Sequence, residues 1–221
     1  MDLIDGFICA LPSICLITDD PYRVKMIAAH YLDNVELFTE TRGQVGLVGK
    51  FKNISLIVLS AGIGTTSTMA YITEMCSKNQ IKRIVYLGDC ITNDSTLPVG
   101  SATYISKAYE NDQCFAVSES LYLNTEIILR ANNIDAQACV TTTYDRYLIE
   151  RQYRTSPESR VLDFATSALY KLGIEANIEA ISILNVCENV ITHENMEEAA
   201  RQSGCHSAVK LALSTAVFYS D

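Results

Sequence analysis

Residues 53–77 constrain the fold most, because they join a buried strand, a glycine turn and a helix. Residues 54–59 are a nearly continuous apolar, β-branched run, which predicts a strand covered on both faces. Gly62 and Gly64 follow, and hydroxyl side chains at 65–67 can cap the next helix. Such a turn lies at the carboxyl end of a strand, where α/β folds bind anions or small polar ligands. A tight turn without a ligand explains the two glycines equally well.

The rest of the chain continues the alternation of strands and helices. The predicted strands are 13–18, 35–38, 44–51, 54–59, 83–88, 101–105, 136–141 and 178–186. The predicted helices begin at Pro21 and after Gly62, and further ones cover 121–132, 158–172 and 195–218. Consecutive extended segments before Gly62 indicate local antiparallel pairing. We therefore expect a three-layer α/β/α fold with a central mixed β-sheet, formed by residues 1–221 as a single domain.

Composition excludes several classes of partner and places the chain in the cytoplasm. The net charge is −9 without a basic stripe, which argues against nucleic acid and against an anionic membrane. No apolar run is long enough to span a bilayer, and the amino-terminal segment lacks the positive region of a signal peptide. Eight cysteines without C-x-x-C spacing are typical of reduced core thiols, and three histidines without ligand spacing predict no metal.

The order of the motifs resembles a known enzyme family. The stretches are ICLITDDPYRVKMIAAHYLDNVELFTETRGQVGLVGKFK, LSAGIGTTSTMAYITE and KRIVYLGDC. They resemble the nucleoside phosphorylases of the purine and uridine phosphorylase family over nearly the whole chain. The resemblance implies cleavage of an N-glycosidic bond by phosphate attack on ribose C1′, through an oxocarbenium-like transition state. It also implies no cofactor, a nucleoside-like small-molecule ligand, and a homo-oligomer, either a dimer or a hexamer.

The phosphate site of the family is altered in this sequence. Arg23 and Arg42 stand where the family has phosphate-binding arginines, but Asp19 replaces a glycine beside the D-P pair. In the family's R-V-G-[ST]-C-G motif, Tyr86 replaces the arginine and Asp89 replaces the hydroxyl residue. Asp19 and Asp89 could pair with the two arginines in the place of the anion, or they could be carboxylates that face water.

The ribose site is also altered, whereas the base site is better preserved. The family's V-E-M-E motif corresponds to residues 162–165, where Asp163 and Phe164 are candidate ligand contacts and the final glutamate is an alanine. Glu188 corresponds to the carboxylate that holds or protonates the base, and Tyr147 to an aromatic residue that stacks on it. Ile63 is expected near the ligand as well.

Three functions of different classes remain open. The chain could be a repurposed enzyme that uses the same cleft for another reaction, with Glu188, Asp19 or Asp89 as acid or base. It could be a working phosphorylase or nucleosidase, or a non-catalytic binding relative. Each lost ligand of a transition state typically costs ~10²-fold or more, so several losses together favour the repurposed enzyme.

Overall fold

The computed structural model describes residues 3–4, 11–144, 155–203 and 206–218. Its strands are β1 (Ile14–Thr18), β2 (Asp33–Thr41), β3 (Gln44–Phe51), β4 (Ile54–Ser60), β5 (Arg83–Thr92), β6 (Ala102–Glu110), β7 (Gln113–Ala116), β8 (Ala136–Thr143), β9 (Val161–Asp163), β10 (Glu179–Asn189) and β11 (Glu194–Asn195). Its helices are α1 (Pro21–Tyr31), α2 (Thr65–Lys78), α3 (Glu119–Asn132), α4 (Thr166–Ala176), α5 (Glu198–Ser203) and α6 (His206–Val217).

All these strands belong to one sheet, which mixes parallel and antiparallel pairs. β1 lies parallel between β4 and β5, and β5 continues parallel to β10. The consecutive strands β2, β3 and β4 pair antiparallel, as their closeness in sequence predicted. The carboxyl ends of β1, β4, β5 and β10 therefore meet at the same edge of the sheet, which is where an α/β fold presents a ligand site.

Part of the sheet closes on itself. β5 pairs with both β10 and β9, while β10 pairs with β6, β6 with β8, and β8 with β9. These five strands form a ring, and the three-residue β9 completes it. Because β9 ends at Asp163, the closure carries the following residue, Phe164, toward the carboxyl ends of β1 and β5.

Helices cover both faces of the sheet and produce two separate cores. On one face Ile72 of α2 and Leu169 of α4 pack against the sheet, and on the other Val24 of α1 and Leu213 of α6 do so. Full burial of one such side chain contributes about 1.5–3 kcal/mol. The expected three-layer α/β/α fold with a mixed sheet is confirmed.

Three local predictions were wrong. The predicted helix 158–172 begins only at Thr166, because residues 161–163 fill the gap between β8 and β5 as β9. The predicted helix 195–218 is divided into β11, α5 and α6. The amino-terminal cap of α2 is Gly64, with φ 95°, and the hydroxyl of Ser67 instead donates to the carbonyl oxygen of Ala61.

Candidate active site

A cavity of about 330 Å³ opens where the carboxyl ends of β1, β4, β5 and β10 meet. This volume falls at the lower end of the range for small-molecule sites. Residues from six segments line it: Asp19, Asp20, Pro21, Ile63, Asp89, Cys90, Ile91, Phe164, Cys187, Glu188, Glu198, Arg201 and Gln202. The structure thus brings together five of the predicted site residues, Asp19, Ile63, Asp89, Phe164 and Glu188, around one cavity.

Arg23 lies directly behind this cavity and is paired with both aspartates. Its Nη1 is 2.9 Å from Asp19 Oδ1, and its Nη2 is 3.0 and 3.1 Å from the two oxygens of Asp89. The Arg23 side chain is only 3% exposed. Its remaining donors reach Thr18 Oγ1 and the carbonyl oxygens of Leu87 and Arg201. Both terminal nitrogens of the guanidinium, Nη1 and Nη2, are therefore already engaged by groups of the protein.

Neighbouring side chains hold Asp89 in this position. Nδ2 of the buried Asn185 lies 3.2 Å from Asp89 Oδ1, and Nε of Arg201 lies 4.0 Å from Asp89 Oδ2. Asp89 and Asn185 are register partners on the parallel strands β5 and β10, so their side chains point to the same face. The ion-pair cluster of Arg23, Asp19 and Asp89 is therefore formed by α1, the residue after β1 and β5, and Asn185 of β10 and Arg201 of α5 support it.

The cluster perturbs the protonation of its own members. Burial raises the pKa of Asp19 to about 6, an effect that Arg23 opposes and Asp89 increases. Burial alone would lower the pKa of Arg23, but the carboxylates of Asp19 and Asp89 hold it above its ordinary value. Arg23 is thus a permanent cation, whereas Asp19 titrates close to neutrality, which is the property of a group that exchanges a proton during a reaction.

A β-bulge on β10 presents Glu188 to the cavity. The register between β10 and β5 shifts between Val186 and Glu188, so that Cys187 is an extra residue. In a regular strand successive side chains point to opposite faces, but the bulge allows Cys187 and Glu188 both to line the cavity. Glu188 is half-buried. The cavity lining therefore includes the carboxylate of Glu188 together with those of Asp19 and Asp89.

Two thiols in the wall are poor nucleophiles. Burial raises the pKa of Cys187 to about 12, with Asp89 adding to the rise, and it raises the pKa of Cys90 well above its ordinary value. Both side chains therefore stay protonated at neutral pH, and the thiolate is the reactive form of cysteine. The carboxylates remain as the candidates for acid–base chemistry.

Asp163 and Tyr86 do not line the cavity. Asp163 is fully buried, and its Oδ1 accepts from the hydroxyls of Thr141 and Thr143. Its Oδ2 accepts from the hydroxyl and N–H of Thr166, at the start of α4. Both oxygens are thus engaged in holding β8, β9 and α4 together, so the suggestion that Asp163 binds a ribose is corrected by this geometry. Tyr86 is 3% exposed and does not line the cavity.

Gly88 makes room for the buried ring of Tyr86. A Cβ at position 88 would lie 2.7 Å from Tyr86 Oη and 2.6 Å from the ring edge. The pKa of Tyr86 is well above its ordinary value because of burial and then because of Asp19. Tyr86 therefore fills space beneath the site, where the family pattern has an arginine.

Two further candidates cannot be assigned to this cavity. Arg42 is exposed in the turn between β2 and β3, with φ 57°, and it is not among the residues that line the cavity. Tyr147 lies outside the described residues. The assignment of Arg42 to a neighbouring subunit's ligand and of Tyr147 to ring stacking both stay predictions.

Sequence reasoning missed the contribution of α5. Glu198, Arg201 and Gln202 form one wall of the cavity, and the carbonyl oxygen of Arg201 accepts a hydrogen bond from Arg23. The sequence contained a signal, because Gly204 interrupts the apolar pattern that was interpreted as one long helix. A separate short helix can fold back over the strand ends, which a continuous helix could not do.

Comparisons with known proteins agree with the fold. A family model described as the phosphorylase superfamily matches residues 13–123. The DeoD-type purine nucleoside phosphorylase of Bacillus velezensis is 29% identical over 214 residues, which cover 90% of this chain and 92% of the relative. The DeoD-type purine nucleoside phosphorylase of Buchnera aphidicola subsp. Baizongia pistaciae is 26% identical over 213 residues, 90% of each chain.

Solved structures of similar proteins share the fold at lower identity. Purine nucleoside phosphorylase from Toxoplasma gondii, in complex with immucillin-H, matches with a TM-score of 0.82 and 18% identity over 93% of this chain and 90% of that chain. Uridine phosphorylase from Vibrio fischeri, complexed with 6-hydroxy-1-naphthoic acid, matches with a TM-score of 0.80 and 21% identity over 93% and 91%. Identities this low show the common architecture alone.

Proposed function

This chain belongs to the phosphorylase superfamily, and we propose that it is a repurposed enzyme of that family. In this proposal it acts on a heterocyclic or nucleoside-like small molecule without using phosphate as the nucleophile. The observation that carries the proposal is the pairing of Arg23 with both Asp19 and Asp89. Both terminal nitrogens of this arginine are engaged by carboxylates, so a phosphate would have to compete with Asp19 and Asp89 for them.

Electrostatics oppose phosphate at this position. A dianion near Arg23 would approach the carboxylates of Asp19 and Asp89, which lie within 3.1 Å of the guanidinium nitrogens. Repulsion between two like unit charges at 4 Å costs about 1–4 kcal/mol for effective dielectrics between water and a protein surface. Displacing the carboxylates instead would leave buried charges unpaired, which costs more.

The remaining residues fit a flat ring that carries a proton donor. Phe164 and Ile63 supply apolar surface, and Glu188 supplies a carboxylate. In the proposal Glu188 exchanges a proton with the ring, while Asp19 or Asp89 acts as the second acid or base. Arg23 positions these aspartates from behind. Arg42 and Tyr147 remain proposed ligand contacts, the first across a subunit interface.

We expect phosphate to leave both activity and stability unchanged. Base release from purine and pyrimidine nucleosides should be equal in phosphate and in chloride of the same ionic strength, measured chromatographically. The melting temperature should also match between the two salts, because no anion site is free to contribute binding energy. A phosphate-specific stabilisation, or release that requires phosphate, would refute the proposed function and restore ordinary phosphorolysis.

A nucleosidase is the second candidate, and the raised pKa of Asp19 favours it. A water nucleophile needs a general base, and a carboxyl with a pKa raised to about 6 lies in the cavity wall. Release of base without phosphate would support this function. If no nucleoside releases its base, the remaining possibilities are a different reaction of the repurposed enzyme and a non-catalytic binding function.

We also expect the protein to assemble as a dimer or a hexamer. Val35 and Leu37 on the edge strand β2 are 40% and 55% exposed, and Arg42 follows at the end of that hairpin strand. An edge strand with exposed apolar side chains can pair with another chain. Light scattering at micromolar concentration should give at least twice the mass of 24.4 kDa; a monomeric mass would contradict this expectation.

The proposal includes a cytoplasmic location. In the described ranges Cys15, Cys76, Cys90, Cys114, Cys139 and Cys187 are all free thiols, which supports a reducing compartment. None of the helices described combines the length and apolar character that crossing a bilayer requires.

A further inference from the structure

We infer that Arg201 and Asp89 together bind a hydroxyl group, that of water or of a small alcohol, which attacks the substrate in place of phosphate. The inference rests on the proposed function, because it names the nucleophile that a reaction without phosphate requires. It also selects Asp89 from the two aspartates as the one that contacts this nucleophile. Three features of the cavity wall support it: an unpartnered donor, its distance from an acceptor, and the contacts that fix both groups.

The Nε of Arg201 is a donor without an acceptor. This atom is buried and has no hydrogen-bond partner among the described residues, and Arg201 itself lines the cavity. The whole side chain is 38% exposed, so its contact with solvent lies elsewhere than at Nε. A buried donor that stays unsatisfied costs free energy, and more so on a charged group. In folded proteins such a group is nearly always satisfied by protein, by an ordered water or by a ligand.

The nearest charged partner of this donor is one oxygen of Asp89. Arg201 Nε lies 4.0 Å from Asp89 Oδ2, which is close enough for a charge interaction but too long for a direct hydrogen bond. An oxygen atom about 2.8 Å from each of the two atoms bridges this gap. A bridging water is the usual explanation of a polar separation longer than about 3.5 Å. The bridging group must accept from Nε and donate to Oδ2.

This double requirement selects a hydroxyl group. A carbonyl oxygen has no hydrogen to donate to Asp89, and a protonated amine has no lone pair to accept from Arg201. Phosphate can carry a hydroxyl, but it brings negative charge beside a carboxylate. Water and alcohols are neutral and meet both requirements. The oxygen of either has a second lone pair, which remains available for attack on an electrophilic carbon.

The protein fixes both groups without filling the gap between them. Asp89 Oδ1 accepts from Asn185 Nδ2 at 3.2 Å, and Arg23 Nη2 lies 3.0 and 3.1 Å from the two Asp89 oxygens. Oδ2 keeps a second acceptor position, because a carboxylate oxygen has two lone pairs. Arg23 Nη2 also donates to the backbone carbonyl oxygen of Arg201, which ties α5 to the cluster. The donor and the acceptor are thus positioned before a nucleophile arrives, which lowers the entropic part of the barrier.

The reaction then needs one proton acceptor and one proton donor. The hydroxyl oxygen forms a bond to the sugar carbon of a nucleoside-like substrate while the bond from that carbon to the ring nitrogen breaks. The hydroxyl proton passes to Asp89 Oδ2, and the ring nitrogen takes a proton from Glu188, the acid of the proposed function. Solvent afterwards removes the proton from Asp89 and restores the one on Glu188. With water the products are the free base and the free sugar; with an alcohol they are the free base and a glycoside.

A crystallographic comparison of the unaltered protein with Arg201→Lys tests the hydroxyl site directly. Lysine keeps the positive charge and the backbone bond from Arg23, but it has no Nε donor at the position of the gap. The unaltered protein should show an ordered oxygen within hydrogen-bond distance of both Arg201 Nε and Asp89 Oδ2, and the variant should lose it. A gap without such an oxygen, or a direct bond between the two side chains, overturns the inference even if no substrate has been identified.

The kinetic test uses purine and pyrimidine nucleosides in phosphate-free chloride buffer made with isotopically labelled water. The label should appear in the released sugar, and added methanol should give some methyl glycoside. Arg201→Lys should lower kcat about tenfold to a hundredfold and change KM little, as loss of one hydrogen bond from a charged donor to the nucleophile predicts.

The matched control is Arg130→Lys on α3, where the arginine side chain is 84% exposed and does not line the cavity. Its kcat should equal that of the unaltered protein. Full kcat in Arg201→Lys, or a released sugar that carries neither label nor methyl group, overturns the inference. Release that requires phosphate refutes the proposed function and the inference together. Release without phosphate from a protein whose gap holds no oxygen refutes the inference alone.

Discussion

Replacing Arg23 by methionine is expected to lower the free energy of unfolding by about 3–5 kcal/mol, because it leaves buried carboxylates without their cation. Methionine keeps much of the side-chain volume and the helix propensity, so the loss reports charge and hydrogen bonds. Arg23 pairs with Asp19 and Asp89 while only 3% of its side chain is exposed. For a chain of this size the melting temperature should fall by about 10 °C. Urea unfolding at one fixed protein concentration measures the change.

The control for this variant is Lys25→Met on the same helix. Lys25 pairs with Glu40 at 3.2 Å, but both side chains are more than half exposed, so this loss should not exceed about 1 kcal/mol. Adding Asp19→Asn and Asp89→Asn to Arg23→Met should recover part of the stability, since the unpaired charges disappear. Equal, small effects of Arg23→Met and Lys25→Met would show that the cluster does not hold the site together.

Replacing Glu188 by glutamine should reduce turnover of whichever substrate the nucleoside screen identifies by about 10²–10⁴-fold, the usual contribution of general acid–base catalysis. Glutamine has nearly the same shape and still accepts a hydrogen bond, but it cannot transfer a proton. Glu188 is half-buried on the bulge of β10 and lines the cavity. Its substitution should therefore lower kcat and leave the melting temperature nearly unchanged.

Glu175→Gln is the matched control, because Glu175 is exposed on α4 and absent from the cavity lining. Its activity and stability should equal those of the unaltered protein. Full activity of Glu188→Gln would assign proton transfer to Asp19 or Asp89 and refute the inherited role of the base-site carboxylate. A fall in melting temperature that parallels the fall in activity would instead indicate a structural role.

Prediction from the sequence was most successful where local pattern and burial agree. The apolar runs of β1, β4 and β5 are buried on both faces, so their composition alone indicates strands within a covered sheet. The resemblance to the family predicted Asp19, Ile63 and Asp89 as site residues, and the structure places all three around one cavity at the carboxyl edge of these strands.

The sequence-based predictions were wrong where hydrogen bonding to distant segments outweighs the local preference for a helix. Residues 161–163 have a sequence compatible with a helix, but the open position between β8 and β5 offers backbone hydrogen bonds that a helix would forgo. The same closure buries Asp163 among hydroxyl donors, so a carboxylate that matched a ligand position became a structural one. Only the tertiary structure shows which partners a buried polar group finds.

The sequence by itself determined the fold class and the family, and the resemblance to that family predicted that two aspartates replace uncharged residues at the phosphate site. It determined these because strand composition, glycine turns and motif order are local properties of the chain. Only the tertiary structure shows that Arg23 forms ion pairs with both aspartates at once and that α5 closes the cavity over them. This arrangement depends on contacts between residues up to 178 positions apart, and such pairing follows from packing geometry and from the cost of leaving a buried charge unpaired.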